Sequence, residues 1–290
     1  MQRSKYKDQK YFKKYIDFLT KILNKKIKEV EAGIVIHPQE NNMTSKKRNM
    51  YKDFIKLVEL KYSAGYPIYS LKSDVINSIK YLTEGGWEQS SVLVAKNRTK
   101  GEVLLPEYHL SAYYKLVERL SLGIIFDIEA KYFEAIAKLI DNDGVKEYFL
   151  EYLLSQKIKR ASIEKESYTQ YMHLFKYISK LRQLIKTKDK AEKEKLLLGY
   201  IKRDWKMARR AMGIDFHEHE LDYLVYTGYW CFESAAIVKI KGLDDTQLRK
   251  IEYYPKDLLD YDPEKEKEYL AQQQQQNTKD SWLNRLFGKG

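Results

Sequence analysis

Proline occurs at only five positions, Pro38, Pro67, Pro106, Pro255 and Pro263. A proline inside a helix removes a backbone donor and collides with the preceding turn. Its scarcity leaves long segments, above all 107–254, free to run as helix. Apolar residues recur along them at helical spacing. Residues 4–31 set Tyr11, Tyr15, Phe18, Leu19 and Ile22 among lysines, and 46–64 repeat the pattern with Tyr51, Phe54, Ile55, Val58 and Tyr62. A shorter helix is expected over 70–83, and another from Glu107 to Leu122, with Pro106 just before its first turn. Residues 127–140 carry Ile128, Tyr132, Phe133, Ile136 and Leu139 on one face; 145–157, 163–186, 190–211 and an aromatic stretch, 217–240, follow as helices.

Breaks fall at Gly65-Tyr66-Pro67, Gly85-Gly86, Asp141-Asn142-Asp143-Gly144 and Met212-Gly213. The third is a turn rather than a calcium loop, because Val145 and Lys146 stand where a ligand and a glycine are needed. Only 91–95 and 101–105 suggest a small hairpin. With 43% apolar residues in 290, a substantial core is available. The expected fold is all-α: a helical bundle of two packed helical subdomains, 1–125 and 126–262, with a disordered, flexible Gln-rich C-terminal tail, 263–290.

Charge is unevenly spread. Residues 1–214 carry 43 Lys/Arg and 26 Asp/Glu, a net of +17. Residues 215–262 carry five and eleven, a net of −6. A basic body with one acidic segment points to charged partners. The first residues, Met1 to Tyr6, lack the apolar core of a signal peptide, and no stretch is long and apolar enough for a membrane span. A cytoplasmic protein without membrane association is the expectation.

Motifs for catalysis are scarce. The chain has no glycine-rich nucleotide loop and no GxSxG elbow. The single cysteine, Cys231, excludes an internal disulfide and sits in apolar sequence, as a core residue would. His217-Glu218-His219-Glu220 offers metal-ligating types, but residues two apart on a helix point in opposed directions. As a helix start, capped by Asp215, the same residues suit the helix dipole. Glu233 would share a helical face with Tyr226, Tyr229, Trp230 and Ile237, and a carboxylate so placed needs a cation, which Arg209 or Arg210 can supply. The alternative is a general base of raised pKa.

Residues 215–262 contain Asp215-Phe216-His217-Glu218-His219, then Tyr226-Thr227-Gly228-Tyr229-Trp230-Cys231-Phe232-Glu233-Ser234-Ala235-Ala236, Lys239, Asp244-Asp245 and Tyr254-Pro255-Lys256-Asp257-Leu258. This string resembles the C-terminal domain of PoNi-type immunity proteins. Tyr11-Phe12 and Tyr62-Ser63-Ala64-Gly65-Tyr66 are similar to elements of that family's N-terminal half. The resemblance covers most of 5–262; Cys231 and Ser234 depart from the usual pattern, and the tail lies outside it. It implies a helical, non-enzymatic protein without cofactor. It also implies a partner, a PoNe-type DNase toxin passed between bacteria and encoded beside it.

A DNase offers positive potential to phosphate, so clustered carboxylates suit an inhibitor of it. Glu218, Glu220, Asp222, Asp244, Asp245 and Asp257 are the candidate toxin contacts. His217, His219, Gly228, Tyr229, Trp230, Glu233, Tyr254 and Pro255 are motif positions that serve either fold or interface. A basic helical nucleic-acid-binding protein is the second reading, and a metal-dependent enzyme using His217, His219 and Glu233 the third. Homodimer formation stays open.

Overall fold

The computed structural model describes residues 2–34, 42–97, 99, 101–169, 174–272, 274 and 275. Helices α1 (Gln9–Glu31), α2 (Asn42–Ala64) and α3 (Lys72–Tyr81) come first, followed by strands β1 (Val92–Asn97) and β2 (Gly101–Tyr108). Then come α4 (Leu110–Ile125), α5 (Ala130–Asn142), α6 (Tyr148–Leu154), α7 (Phe175–Lys186), α8 (Lys190–Gly199), α9 (Trp205–Ala211) and α10 (Phe232–Lys241). The fold is predominantly helical, as the spacing of apolar residues requires. β1 and β2 form an antiparallel hairpin, with Val94 opposite Leu104.

α4 is the axis of the core. Nearly all its residues are buried, and Gly123 lets Ile128 and Phe133 press against its backbone, where a Cβ would stand about 3 Å from both. α10 packs on α4, so the last helix of the second half closes directly on the first half. α1 packs on α2, α2 on α3, and α7 on α8.

The first helix starts later than the periodicity predicts because Asp8 caps it, accepting from the Tyr11 amide. Its buried stripe is Phe12, Tyr15, Ile16, Leu19 and Leu23, whereas Phe18, placed on the apolar face by sequence, is 52% exposed. Pro106 and Glu107 lie in β2, not at a helix start; a two-stranded edge tolerates a proline that cannot donate. Residues 163–169 are not helical, and α7 begins only at Phe175. Serine and glutamate side chains hold that stretch instead: Ser167 bonds Pro106 O, and Glu166 accepts from the Tyr148 amide at 3.0 Å. The expected helix over 190–211 is continuous but contains a π-helical turn, Tyr200–Asp204.

The largest departure is the aromatic stretch. Residues 217–231 are not helical apart from one 3-10 turn, Glu218–Glu220. Gly228 takes φ +137°, which no helix contains. The backbone groups of this strip find partners outside it. Lys7 Nζ donates to Leu221 O at 2.8 Å. The Tyr11 hydroxyl accepts from the Val225 amide at 3.2 Å and donates to Tyr226 O at 3.0 Å. Ser63 Oγ donates to Thr227 O at 2.7 Å.

Residues 263–272 continue as helix. Glu266 there is buried, accepting from Lys72 Nζ at 2.7 Å and Tyr261 Oη at 2.6 Å. This part of the Gln-rich tail is docked; residues 276–290 lie outside the described residues.

Candidate functional site

The strip 221–231 lies over helices α1 and α2 and forms a seam between the two halves. Trp230 Nε1 donates to Ser63 Oγ at 2.9 Å, and the Trp230 ring meets Tyr62 edge-on, centroids 4.8 Å apart. Ser4 Oγ and Tyr226 Oη are 2.9 Å apart. Arg3 closes the far end: its Nε donates to Asp257 at 2.6 Å, and its Nη1 donates to the carbonyls of Tyr62 and Tyr66. Tyr254 and Pro255 are buried, and Pro255 leads into the 3-10 turn Lys256–Asp260 that carries Asp257.

Beneath the strip sits a cluster of buried charge. Thr227 Oγ1 donates to Glu59 at 2.5 Å. Arg209 Nη2 lies 3.5 Å from Glu118 and 3.9 Å from Glu59. Arg119, 1% exposed, donates to the Tyr51 and Lys115 carbonyls and lies 3.7 Å from Glu118. Tyr200 donates to Glu233 at 2.6 Å and stands 3.2 Å from the Tyr114 hydroxyl. Burial pushes the Glu59 carboxyl above the usual carboxylate range, and the neighbouring Glu118 adds to the rise, while Arg209 opposes it. Glu233 is raised for the same first reason, offset by Arg209 and the Tyr200 hydrogen bond. Burial also pushes the Cys231 thiol well up, which leaves it protonated and inert.

Glu233 thus takes its hydrogen bond from Tyr200 and is stabilised at longer range by Arg209, one of the two guanidiniums the sequence offered. Its expected helical neighbours Tyr226, Tyr229 and Trp230 do not share its face, because they precede α10 on the non-helical strip. His217 and His219 do not begin a long helix. His217 Nδ1 and Glu220 Oε1 form an exposed pair at 2.9 Å, which raises the histidine pKa and lowers that of the glutamate. His219 lies against the Tyr6 ring at 3.9 Å between centroids, with Nδ1 3.3 Å from the Tyr229 hydroxyl. Among the described residues, no group of three His, Cys, Asp or Glu is arranged to hold a metal ion.

The six candidate contact carboxylates fall into separate settings. Asp257 is tied to Arg3, and Asp245 to Arg249 at 2.9 Å and the Tyr254 hydroxyl at 3.1 Å. Asp244 is exposed but accepts from the Thr246 amide and hydroxyl, holding a turn. Glu218, Glu220 and Asp222 share the loop before the seam. Beside them stands Tyr223, 63% exposed, a residue that sequence spacing did not single out. The sequence offered only its place beside Asp222 in the acidic segment as a signal.

A small cleft of about 70 Å³ opens between this loop and the buried cluster, lined in part by Glu59, Trp205, Arg209, Glu218 and Tyr229.

The two sequences joined at the seam come from opposite ends of the chain, and two family models divide it in the same way. The one described as "PoNe immunity protein (PoNi), N-terminal" matches residues 1–138, and "PoNe immunity proteins (PoNi), C-terminal" matches residues 146–258. The chain belongs to the PoNe immunity protein family. In this family member the N-terminal element Tyr62-Ser63 and the C-terminal element Gly228-Tyr229-Trp230 touch each other directly. A solved structure, protein PA2201 from Pseudomonas aeruginosa, has a similar fold: TM-score 0.59 at 16% identity, covering 90% of this chain and 91% of that one. No curated protein matches the chain. No helix among the described residues is long and apolar enough to cross a membrane.

Proposed function

We propose that this PoNe immunity family protein binds a DNase toxin in the cytoplasm and neutralises it by occluding its active site, with no catalysis of its own. Such a toxin would pass between competing bacteria. The observation that carries this reading beyond family membership is the loop 215–223. It displays Asp215, Glu220, Asp222 and the exposed Tyr223 on a chain whose residues 1–214 are strongly basic. A nuclease must present cationic surface to phosphate, and a carboxylate loop with an aromatic anchor fits that surface in charge and in hot-spot chemistry. The loop is held at both ends, by the hydrogen bond from the His217 amide to Asp215 Oδ1 and by the Lys7 and Tyr11 hydrogen bonds to Leu221, Val225 and Tyr226, so little conformational freedom is lost on docking.

The test is co-expression with the nuclease encoded beside this gene. Stoichiometric co-purification, loss of DNA cleavage, and an association rate that falls as salt rises are the expected results. Failure to bind that nuclease, together with direct and strongly salt-dependent DNA affinity, would replace this reading with nucleic-acid binding by the basic body.

A further inference from the structure

The cleft between the acidic loop and the buried cluster has features that folding alone does not use. Its polar lining is Glu59, Glu218, Arg209 and Thr227, and its apolar walls include Trp205, Phe216 and Tyr229. Glu218 is half-buried, and its carboxylate makes no ion pair or side-chain hydrogen bond among the described residues. Lys56 is near enough to be felt by both carboxylates but is exposed and pairs with neither. Asp215, on the same loop, adds negative charge beside Glu218. Trp205 in the lining is 1% exposed, and its indole N–H has no hydrogen-bond partner among the described residues. A buried donor without an acceptor costs about 1–3 kcal/mol, so whatever enters the cleft gains by supplying one, directly or through a water.

Charge decides what can enter. The lining of the cleft carries two carboxylates, Glu59 and Glu218, against one guanidinium, Arg209, which is already engaged by Glu59 and Glu118. A cation is therefore welcome and an anion is not. Ring faces attract cations at close range, and these walls already do so: Arg209 lies 5.5 Å from the Trp205 ring centroid and Lys206 5.0 Å from that of Phe216. The volume of about 70 Å³ admits a guanidinium or ammonium head. A water needs only about 10–15 Å³ and can sit beneath the head as acceptor for the indole.

We propose that this cleft receives one basic side chain projected by the toxin, with Glu218 as its ion-pair partner at the mouth and Trp205 and Tyr229 as its walls. This rests on the toxin-binding reading above and narrows it. The acidic loop attracts the nuclease, and the cleft fixes its register by swallowing one of the residues that would otherwise hold DNA. Docking a cation beside Glu59 also favours the ionised carboxyl, so a proton leaves as the guest enters.

The experiment is calorimetric titration of the neighbouring nuclease with the full-length protein and three variants: Glu218→Gln, Glu218→Arg and, on the exposed face of α5 away from the cleft, Glu134→Arg. Thermal melts establish that each is folded. Loss of about 30-fold or more in affinity for Glu218→Arg, the size of a hot-spot residue, is expected, with a smaller loss for Glu218→Gln. Glu134→Arg should stay close to the wild type. If the wild type binds tightly and Glu218→Arg binds equally well, the cleft proposal falls while the immunity reading stands. A second arm needs no toxin. N-acetylarginine amide should shift the Trp205 indole N–H resonance saturably in the wild type and not in Glu218→Arg. The absence of any shift at high millimolar probe overturns the assigned guest, whatever the nuclease does.

Discussion

Replacing Gly228 with alanine tests whether the motif at the seam is a folding device. The backbone there has φ +137°, where a residue with a Cβ is strained by about 1–3 kcal/mol. The new methyl would fall on Trp230 Nε1 and Ser63 Oγ, the two atoms of the 2.9 Å hydrogen bond across the seam. Neither is free to yield: Trp230 is buried against Tyr62, and Ser63, fully buried, also donates to Thr227 O. Overpacking costs about 1–3 kcal/mol, and leaving the indole donor unpaired about as much again. These costs overlap, because moving Trp230 relieves the clash by breaking the bond; a net loss of about 3–5 kcal/mol is expected. In a chain of this size that lowers the melting temperature by roughly 10 °C. Urea unfolding followed by tryptophan fluorescence measures it directly, as a drop in midpoint at constant slope. A loss below about 1 kcal/mol would refute the argument, since it would mean that the strip and α2 separate at almost no cost.

Two further outcomes follow from the buried cluster. Arg209→Met removes the cation shared by Glu59, Glu118 and Glu233 and should cost about 3–5 kcal/mol in urea unfolding, more than removal of any one of those carboxylates as its glutamine. Stability should also fall as pH rises from the ordinary carboxylate range through the raised Glu59 pKa. The folded state binds the proton more tightly than the unfolded chain, so its advantage is complete at low pH and lost above the folded pKa. Unfolding curves between about pH 5 and 8 check the sign, and Glu59→Gln should flatten that slope.

The helical body was legible because its signal is local. Tyr51, Phe54, Ile55, Val58 and Tyr62 repeat at helical spacing, and all are buried in α2. The hairpin was legible for the same reason. The strip 217–231 was not, because its aromatic residues also satisfy a helical pattern and what fixes them lies far away, on Ser4, Tyr11 and Ser63. Gly228 was the local warning: placed mid-helix it is only a weak breaker, and its positive φ emerges from the close approach of α2. Glu233 shows the mixed case. Its need for a cation was derivable from composition and burial, and Arg209 or Arg210 was offered as the source, but the aromatic neighbours were inferred from a helix that does not exist there. Among the acidic residues, sequence could not separate Asp245 and Asp257, engaged with Arg249 and Arg3, from the free carboxylate of Glu218.

The bonds that close the seam span most of the polypeptide: 254 residues between Arg3 and Asp257, 222 between Ser4 and Tyr226, 167 between Ser63 and Trp230. On a ribosome the first helices emerge long before the residues that complete them, and domains assemble in that order. Helices α1 and α2 therefore wait, with Ser63 and Glu59 uncovered, until Thr227 has been made, 164 residues after Ser63. A partly made copy has neither the Glu218 cleft nor its walls. On the proposed toxin-binding reading, protection therefore rests on finished molecules already present when a toxin arrives, not on translation in progress.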